Sequence, residues 1–123
     1  MNANFYALLE SHFPADRNEV CIQTLHGLAY TWGDIDRGTA QIANLLVSLR
    51  LPPGSRVAAQ VEKSPEALLL YLATLRAGYI FLPLNTAYRE AEAGYFFENA
   101  GPAVIVCDPT QFNACVNSNC VMQ

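Results

Sequence analysis

The chain has 123 residues, 52% of them hydrophobic and 15% charged, with a net charge of −4. This length suits one domain, and the apolar content excludes intrinsic disorder. The seven Lys and Arg residues are scattered, which gives no electrostatic basis for binding nucleic acid or a membrane surface. The N-terminus lacks the basic-then-apolar order of a secretory signal, so we expect a cytoplasmic protein.

The four cysteines include no C-x-x-C pair. Cys21 and Cys107 lie in apolar runs, where a reduced thiol behaves as a small hydrophobic side chain. Cys115 and Cys120 have no histidine or second cysteine pair at ligand spacing. We therefore expect neither a disulfide framework nor a metal site.

The N-terminal part is predicted to form a helix and a β-hairpin. Apolar residues at helical spacing from Phe5 predict a short helix that ends near Phe13-Pro14. Residues 20–25 and 28–32 have the composition of strands, and His26-Gly27 between them suits a tight turn.

A second helix is predicted from residue 32 onward. Thr31 and Asp34 have the spacing of a capping box, in which each side chain accepts a hydrogen bond from the other residue's amide. The sequence "LPPG" (residues 51–54) ends the helix. Its apolar residues fall on one face, predicting an amphipathic helix: Ile35, Ile42, Leu46 and Leu49.

The run from Ala67 to Leu84 contains one charge, Arg76, and is nearly long enough to cross a membrane. A membrane helix would have to continue through Gly78 and Pro83 with Arg76 near its centre, at a cost of several kcal/mol. A helix followed by a buried strand explains the same residues without that cost. We therefore predict two packed elements and no membrane span.

The local signals support this division. Ser64 suits the N-cap of a helix over residues 65–77, Pro65 its first position, and Gly78 the position after its end. Residues 56–62 and 79–84 are predicted as the strands on either side.

The remaining sequence extends the same pattern. Residues 88–101 predict another helix, and residues 102–108 a strand that ends at Asp108. The predicted fold is α/β, with an N-terminal β-hairpin and a βαβαβ layer of a parallel sheet with flanking helices. Residues 1–109 form the predicted domain, and residues 110–123 a loosely ordered tail.

Ligands of open parallel sheets bind at the carboxyl ends of the strands, which singles out three loops. Lys63 and Ser64 could hold an anion at a helix N-terminus, but a simple N-cap explains the same residues and is the favoured interpretation. Asp108 could belong to a site, but a turn residue before Pro109 is the favoured interpretation. The loop after residue 84 carries the polar side chains Asn85, Thr86, Tyr88 and Arg89.

Catalytic signatures are absent from the sequence. It contains no G-x-G-x-x-G, no G-x-x-x-x-G-K-[ST] and no G-x-S-x-G motif. His12 and His26 fall at a helix end and in a turn, with no nucleophile placed beside either. We predict no catalytic residue in this chain.

Taken together, several stretches resemble the beginning of an adenylate-forming acyl-CoA synthetase, a member of the AMP-dependent synthetase/ligase family, and are most similar to its malonyl-CoA synthetases. The similarity covers residues 1–109. The stretches are "TWGDIDRGTAQIANLL", "LPPGSRVAAQVEKSPEALLLYLATLRAG", "FLPLNTAY" and "YFFENAGPAVIVCDP".

The resemblance implies a reaction for the full-length enzyme. ATP and Mg activate a small carboxylate such as malonate to an acyl-adenylate with release of pyrophosphate, and coenzyme A (CoA) then takes the acyl group with release of AMP. The family's Ser/Thr/Gly-rich phosphate loop and catalytic lysine match no position here, so we expect an N-terminal fragment that is inactive alone. Asn85 and Thr86 match a loop near the CoA path.

A non-catalytic α/β interaction module is the alternative. Such a module could self-associate through a sheet edge that missing strands leave exposed.

Overall fold

A computed structural model of the chain describes residues 4–84 and 101–107 and the backbone of residues 121–122. In chain order the elements are α1 (Phe5–Glu10), β1 (Val20–Gln23), β2 (Ala29–Thr31), α2 (Trp32–Ser48), β3 (Arg56–Gln60), α3 (Pro65–Arg76), β4 (Ile80–Pro83), β5 (Val104–Cys107) and β6 (Val121–Met122).

The described strands form two sheets. β1 and β2 pair antiparallel, and the second sheet has the order β4-β3-β5-β6 with every neighbouring pair parallel. β3, α3 and β4 form the predicted βαβ unit, and β5 pairs on the other side of β3. The α/β class, the hairpin and the parallel sheet are confirmed. The helix predicted over residues 88–101 lies outside the described residues except for Gly101, as does most of the predicted tail.

The hairpin turn differs from the prediction. The Thr24 amide donates to the Leu28 carbonyl at 2.8 Å, which leaves three residues in the loop rather than the predicted two. Gly27, the last of them, has φ 89°, a conformation that a side chain disfavours and that this loop length requires. The return strand also ends earlier, because Trp32 is already the first residue of α2.

The capping box at the start of α2 is confirmed. The Asp34 amide donates to Thr31 Oγ1 at 3.1 Å, and the Thr31 amide donates to Asp34 Oδ2 at 2.9 Å. Ile35 and Leu46, on the predicted apolar face, are buried, but Leu49, predicted on the same face, is 41% exposed. Leu49 is the C-cap of α2, so it lies just beyond the last helical residue and no longer belongs to the buried face of the helix. Arg50 follows with φ 55°.

The apolar run divides as predicted. The Ser64 hydroxyl accepts from the Ala67 amide at 3.1 Å, and Pro65 is the first residue of α3. At the other end, Gly78 has φ 85°, its amide donates to the Leu75 carbonyl, and the next amide donates to the Thr74 carbonyl, both at 3.0 Å. These two bonds form a Schellman motif, which ends the helix.

No helix among the described residues is long and apolar enough to cross a membrane. The apolar run is nevertheless not completely buried. Leu68 on α3 is 41% exposed. Ile80 on β4 is 49% exposed, since among the described strands β4 has a hydrogen-bonded neighbour on one side only.

The core lies on both faces of the parallel sheet. One face joins the two long helices to the strands through Leu46, Leu70, Val57, Ala59, Val104 and Val106. On the other face, Ala58, Ile105 and Cys107 are at most 2% exposed. Cys107 is therefore a core residue as predicted. Cys21 is only partly buried, and this burial raises the pKa of its thiol.

Candidate functional site

The carboxyl ends of the described parallel strands meet at one edge of the sheet. β3 and β4 are in register with Ala59 opposite Pro83, and β3 and β5 with Gln60 opposite Cys107. The three loops singled out from the sequence follow these strand ends, so their starting points share this edge. This is the edge at which parallel sheets bind ligands.

A groove of about 350 Å³ opens at this edge, between the start of α3 and the end of β4. Its wall is mostly apolar and includes Ala67, Leu68, Phe81 and Leu84, with Lys63 and Ser64 at its polar end. Tyr71 supports the wall from α3, since its ring packs edge-on against Phe81 with the centroids 5.1 Å apart. The groove is thus continuous with the packing of α3 on β4.

The first candidate loop behaves mainly as a helix cap. Ser64 is exposed, and its hydroxyl is engaged by the Ala67 amide, as expected of an N-cap. Lys63 is exposed beside it, and Glu62 provides a compensating negative charge in the same loop. The structure brings these residues to the groove and gives Ser64 a structural role as the N-cap of α3.

The second and third candidate loops lie largely outside the described residues. Asn85, Thr86, Tyr88, Arg89 and Asp108 are not described. The residue before the second loop is firmly placed, because Leu84 is 9% exposed and its amide donates to the Ala59 carbonyl at 2.8 Å. The last described residue before the second loop therefore lies at the groove.

Metal ligands do not cluster in the part of the chain that the structure describes, where no three His, Cys, Asp or Glu side chains come together. His12 and His26 are both exposed, as the sequence indicated. Cys115 and Cys120 lie outside the described residues.

The polar cluster that sequence reasoning missed lies at the opposite edge of the sheet. It joins Asn4, Tyr6, Asp36 and Thr39 to Arg76 at the end of α3. The residues come from three helices, and no local sequence signal marks such a contact.

The parallel sheet with its packed helices matches the N-terminal domain of adenylate-forming enzymes. The family model described as "AMP-binding enzyme" matches residues 11–122, and the chain belongs to this family. The match extends past Pro109, the end of the resemblance seen in the sequence.

Solved structures of MatB from Rhodopseudomonas palustris, apo and ATP-bound, are 40% identical to the chain with a TM-score of 0.89. They cover 99% of this chain, which covers 25% of theirs. A benzoate CoA ligase from Burkholderia xenovorans shares the fold, with a TM-score of 0.87 at 18% identity over 98% of this chain and 25% of its own.

Among curated relatives, the medium-chain fatty-acid–CoA ligase of Escherichia coli is 31% identical over 75 residues, which are 61% of this chain and 13% of the ligase. The chain thus spans a quarter or less of the length of the relatives described here.

Proposed function

We propose that this chain supplies the N-terminal scaffold of a malonyl-CoA synthetase and has no activity alone. In the complete enzyme, malonate attacks ATP to give malonyl-adenylate and pyrophosphate. The CoA thiol then displaces AMP to give malonyl-CoA. A cytoplasmic location suits a reaction that consumes ATP and CoA.

The similarity to MatB carries this proposal. MatB is a malonyl-CoA synthetase, and its 40% identity extends over nearly the whole of this chain. The E. coli ligase, at 31% identity over a shorter stretch, supports the broader acyl-CoA ligase class. Malonate is therefore the first acid to test, and methylmalonate the natural comparison.

The described residues do not fit the triphosphate of ATP. Among the described residues that line the groove, most are apolar, Lys63 is the one cation, and Glu62 lies beside that lysine. The Ser64 hydroxyl already caps α3. We therefore assign no step of adenylation to these residues, in agreement with the proposed scaffold role.

The proposal places Asn85 and Thr86 near the CoA path of the complete enzyme. Support comes from the loop's point of departure: Leu84 lines the groove, and its amide is fixed to β3. An amide and a hydroxyl at this position could hydrogen-bond a polar ligand group.

Self-association through the edge of β4 is disfavoured by the strand itself. The amides of Ile80 and Leu84 both point toward β3, donating to Ser55 and Ala59 at 2.9 and 2.8 Å. Because successive residues of a strand direct their amides to opposite sides, Phe81 and Pro83 face away from β3. Pro83 has no amide hydrogen, so in β4 only Phe81 has an amide hydrogen directed away from β3. The alternative, an interaction module that self-associates through a sheet edge, is tested by light scattering over a concentration series. A molar mass that stays at the monomer value at every concentration would contradict it.

The activity proposal is tested by measuring AMP formed from ATP, malonate and CoA. Purified chain alone should form no more AMP than the protein-free mixture, with R. palustris MatB as the positive control. AMP formation by the lone chain that requires all three substrates would refute the scaffold role.

A further inference from the structure

We propose that Asn4, Tyr6 and Arg76 form a clasp that fastens α1 to α2 and α3, and that residues 4–13 open and close as one unit while the parallel sheet stays folded. We call these three residues the clasp. The inference concerns the N-terminal segment, at the edge of the sheet opposite the groove.

The short helix α1 depends on tertiary contacts. It has six residues, far fewer than the roughly 12–15 that an isolated helix needs to be even marginally stable in water. Its outer side chains contribute little, since Phe5 is 49% exposed and Leu8 56% exposed. Tyr6, by contrast, is 3% exposed. The stability of α1 therefore rests on its inward-facing residues.

Asn4 connects two helix ends with one side chain. Its Oδ1 accepts from the amides of Tyr6 at 2.8 Å and Ala7 at 3.4 Å, which caps the start of α1. Its Nδ2 donates to the Leu75 carbonyl at 2.7 Å, at the end of α3. One amide group thus satisfies a donor of one helix and an acceptor of the other.

Arg76 fixes the second point of attachment. Its Nη1 lies 2.9 Å from the Asp36 carboxylate, 2.9 Å from the Asp36 carbonyl, 3.0 Å from Thr39 Oγ1 and 3.3 Å from Tyr6 Oη. The guanidinium also lies over the Tyr6 ring, 4.9 Å from its centroid. Thr39 is fully buried, so the cluster is partly removed from water.

The clasp joins residues that are far apart in sequence. Asn4 is 71 residues from Leu75, and Tyr6 is 70 residues from Arg76. Both are contacts between the α1 segment and the end of α3, so they form only where these two segments pack together. The sheet core, in contrast, contacts the two long helices through a separate apolar set that contains no clasp residue.

Hydrogen exchange of the full chain tests the clasp. The Leu8 and Ser11 amides, bonded to Asn4 and Ala7 carbonyls, report on α1, and the Leu84 amide reports on the sheet. Arg76→Ala should accelerate exchange in α1 by at least about tenfold, because charged hydrogen bonds are lost. Exchange at Leu84 should change less than about threefold.

Milder variants separate the clasp from general destabilisation. Tyr6→Phe keeps the ring and removes the hydroxyl, so α1 exchange should rise about 2- to 10-fold. Arg37→Ala is the matched control, since Arg37 is 69% exposed and pairs with Asp34 away from α1. Its effect on α1 should stay below about threefold.

Two results would overturn the clasp. Unchanged α1 exchange in both Arg76→Ala and Tyr6→Phe shows that these contacts do not hold the helix. A parallel rise at Leu84 in either variant, or global unfolding of Arg76→Ala, shows that the segment does not open independently.

Discussion

Replacing Gly78 by alanine distinguishes the two interpretations of the apolar run by the sign of the stability change. In the structure Gly78 lies at φ 85°, just after α3, and is the left-handed residue of the Schellman motif. In a continuous helix through residues 67–84 the same position would be an interior helical glycine. Alanine is disfavoured in the first setting and favoured in the second.

The magnitude follows from the backbone alone. A Cβ built on Gly78 meets nothing within 4 Å, so no steric clash contributes. The left-handed conformation costs a non-glycine residue about 1–2 kcal/mol, and the lower entropy of the unfolded alanine chain offsets up to about 1 kcal/mol of this. We expect Gly78→Ala to lower the free energy of unfolding by about 1 kcal/mol.

Urea unfolding followed by far-UV circular dichroism measures this change, and the fluorescence of Trp32, the single tryptophan, gives an independent signal. Gly78→Asn is the matched control and should lose less, because asparagine tolerates the left-handed region better than alanine. A stabilisation of about 1 kcal/mol by Gly78→Ala would show a continuous helix and refute the division of the run.

Three further changes test local features. Arg50→Gly should raise the free energy of unfolding by about 1 kcal/mol in urea titrations, because Arg50 has φ 55° after the end of α2 and glycine adopts this left-handed conformation more easily. An unchanged free energy of unfolding would contradict the left-handed conformation of residue 50. Leu46→Ala should lower the free energy of unfolding by about 2–5 kcal/mol and Leu45→Ala by about 0.5 kcal/mol or less, since Leu46 is 3% exposed and Leu45 58% exposed. Equal losses would contradict the assignment of Leu46 to the buried face of α2. The Thr31 amide, and next the Arg37 guanidinium, hold the pKa of Asp34 below its ordinary value of 3.8. The stability that Asp34 contributes is therefore fully present above its unfolded pKa and is lost as the pH falls through the lower folded pKa. Between about pH 5 and about pH 2.5 the urea midpoint should therefore fall less in Asp34→Asn than in the unmodified protein. An undiminished decline would exclude this carboxylate as its source.

Local signals predicted the start of α2 and both ends of α3, whereas α1 ends at Glu10 and not near Phe13-Pro14 as predicted. Thr31, Ser64 and Gly78 each act through backbone groups within five residues of their own position, so their roles can be inferred from short sequence patterns. Arg50 shows the limit of such patterns, because its left-handed conformation is imposed by the chain's path and is not a preference of arginine.

Long-range features could not be predicted in this way. The contact of Asn4 with Leu75 spans 71 residues, and the exposure of Leu49 depends on where α2 stops covering the sheet. At the candidate site, the sequence located the edge of the sheet and the capping role of Ser64. The apolar groove arises from packing between α3 and β4, which periodicity does not specify.

The chain belongs to the AMP-binding enzyme family, and we propose that it forms the N-terminal scaffold of a malonyl-CoA synthetase. The most direct test replaces the matching N-terminal segment of R. palustris MatB with residues 1–109 and measures AMP formation. We predict AMP formation that requires ATP, malonate and CoA together. A chimera that unfolds cooperatively, and is therefore folded, yet forms no AMP above the protein-free background would contradict the account.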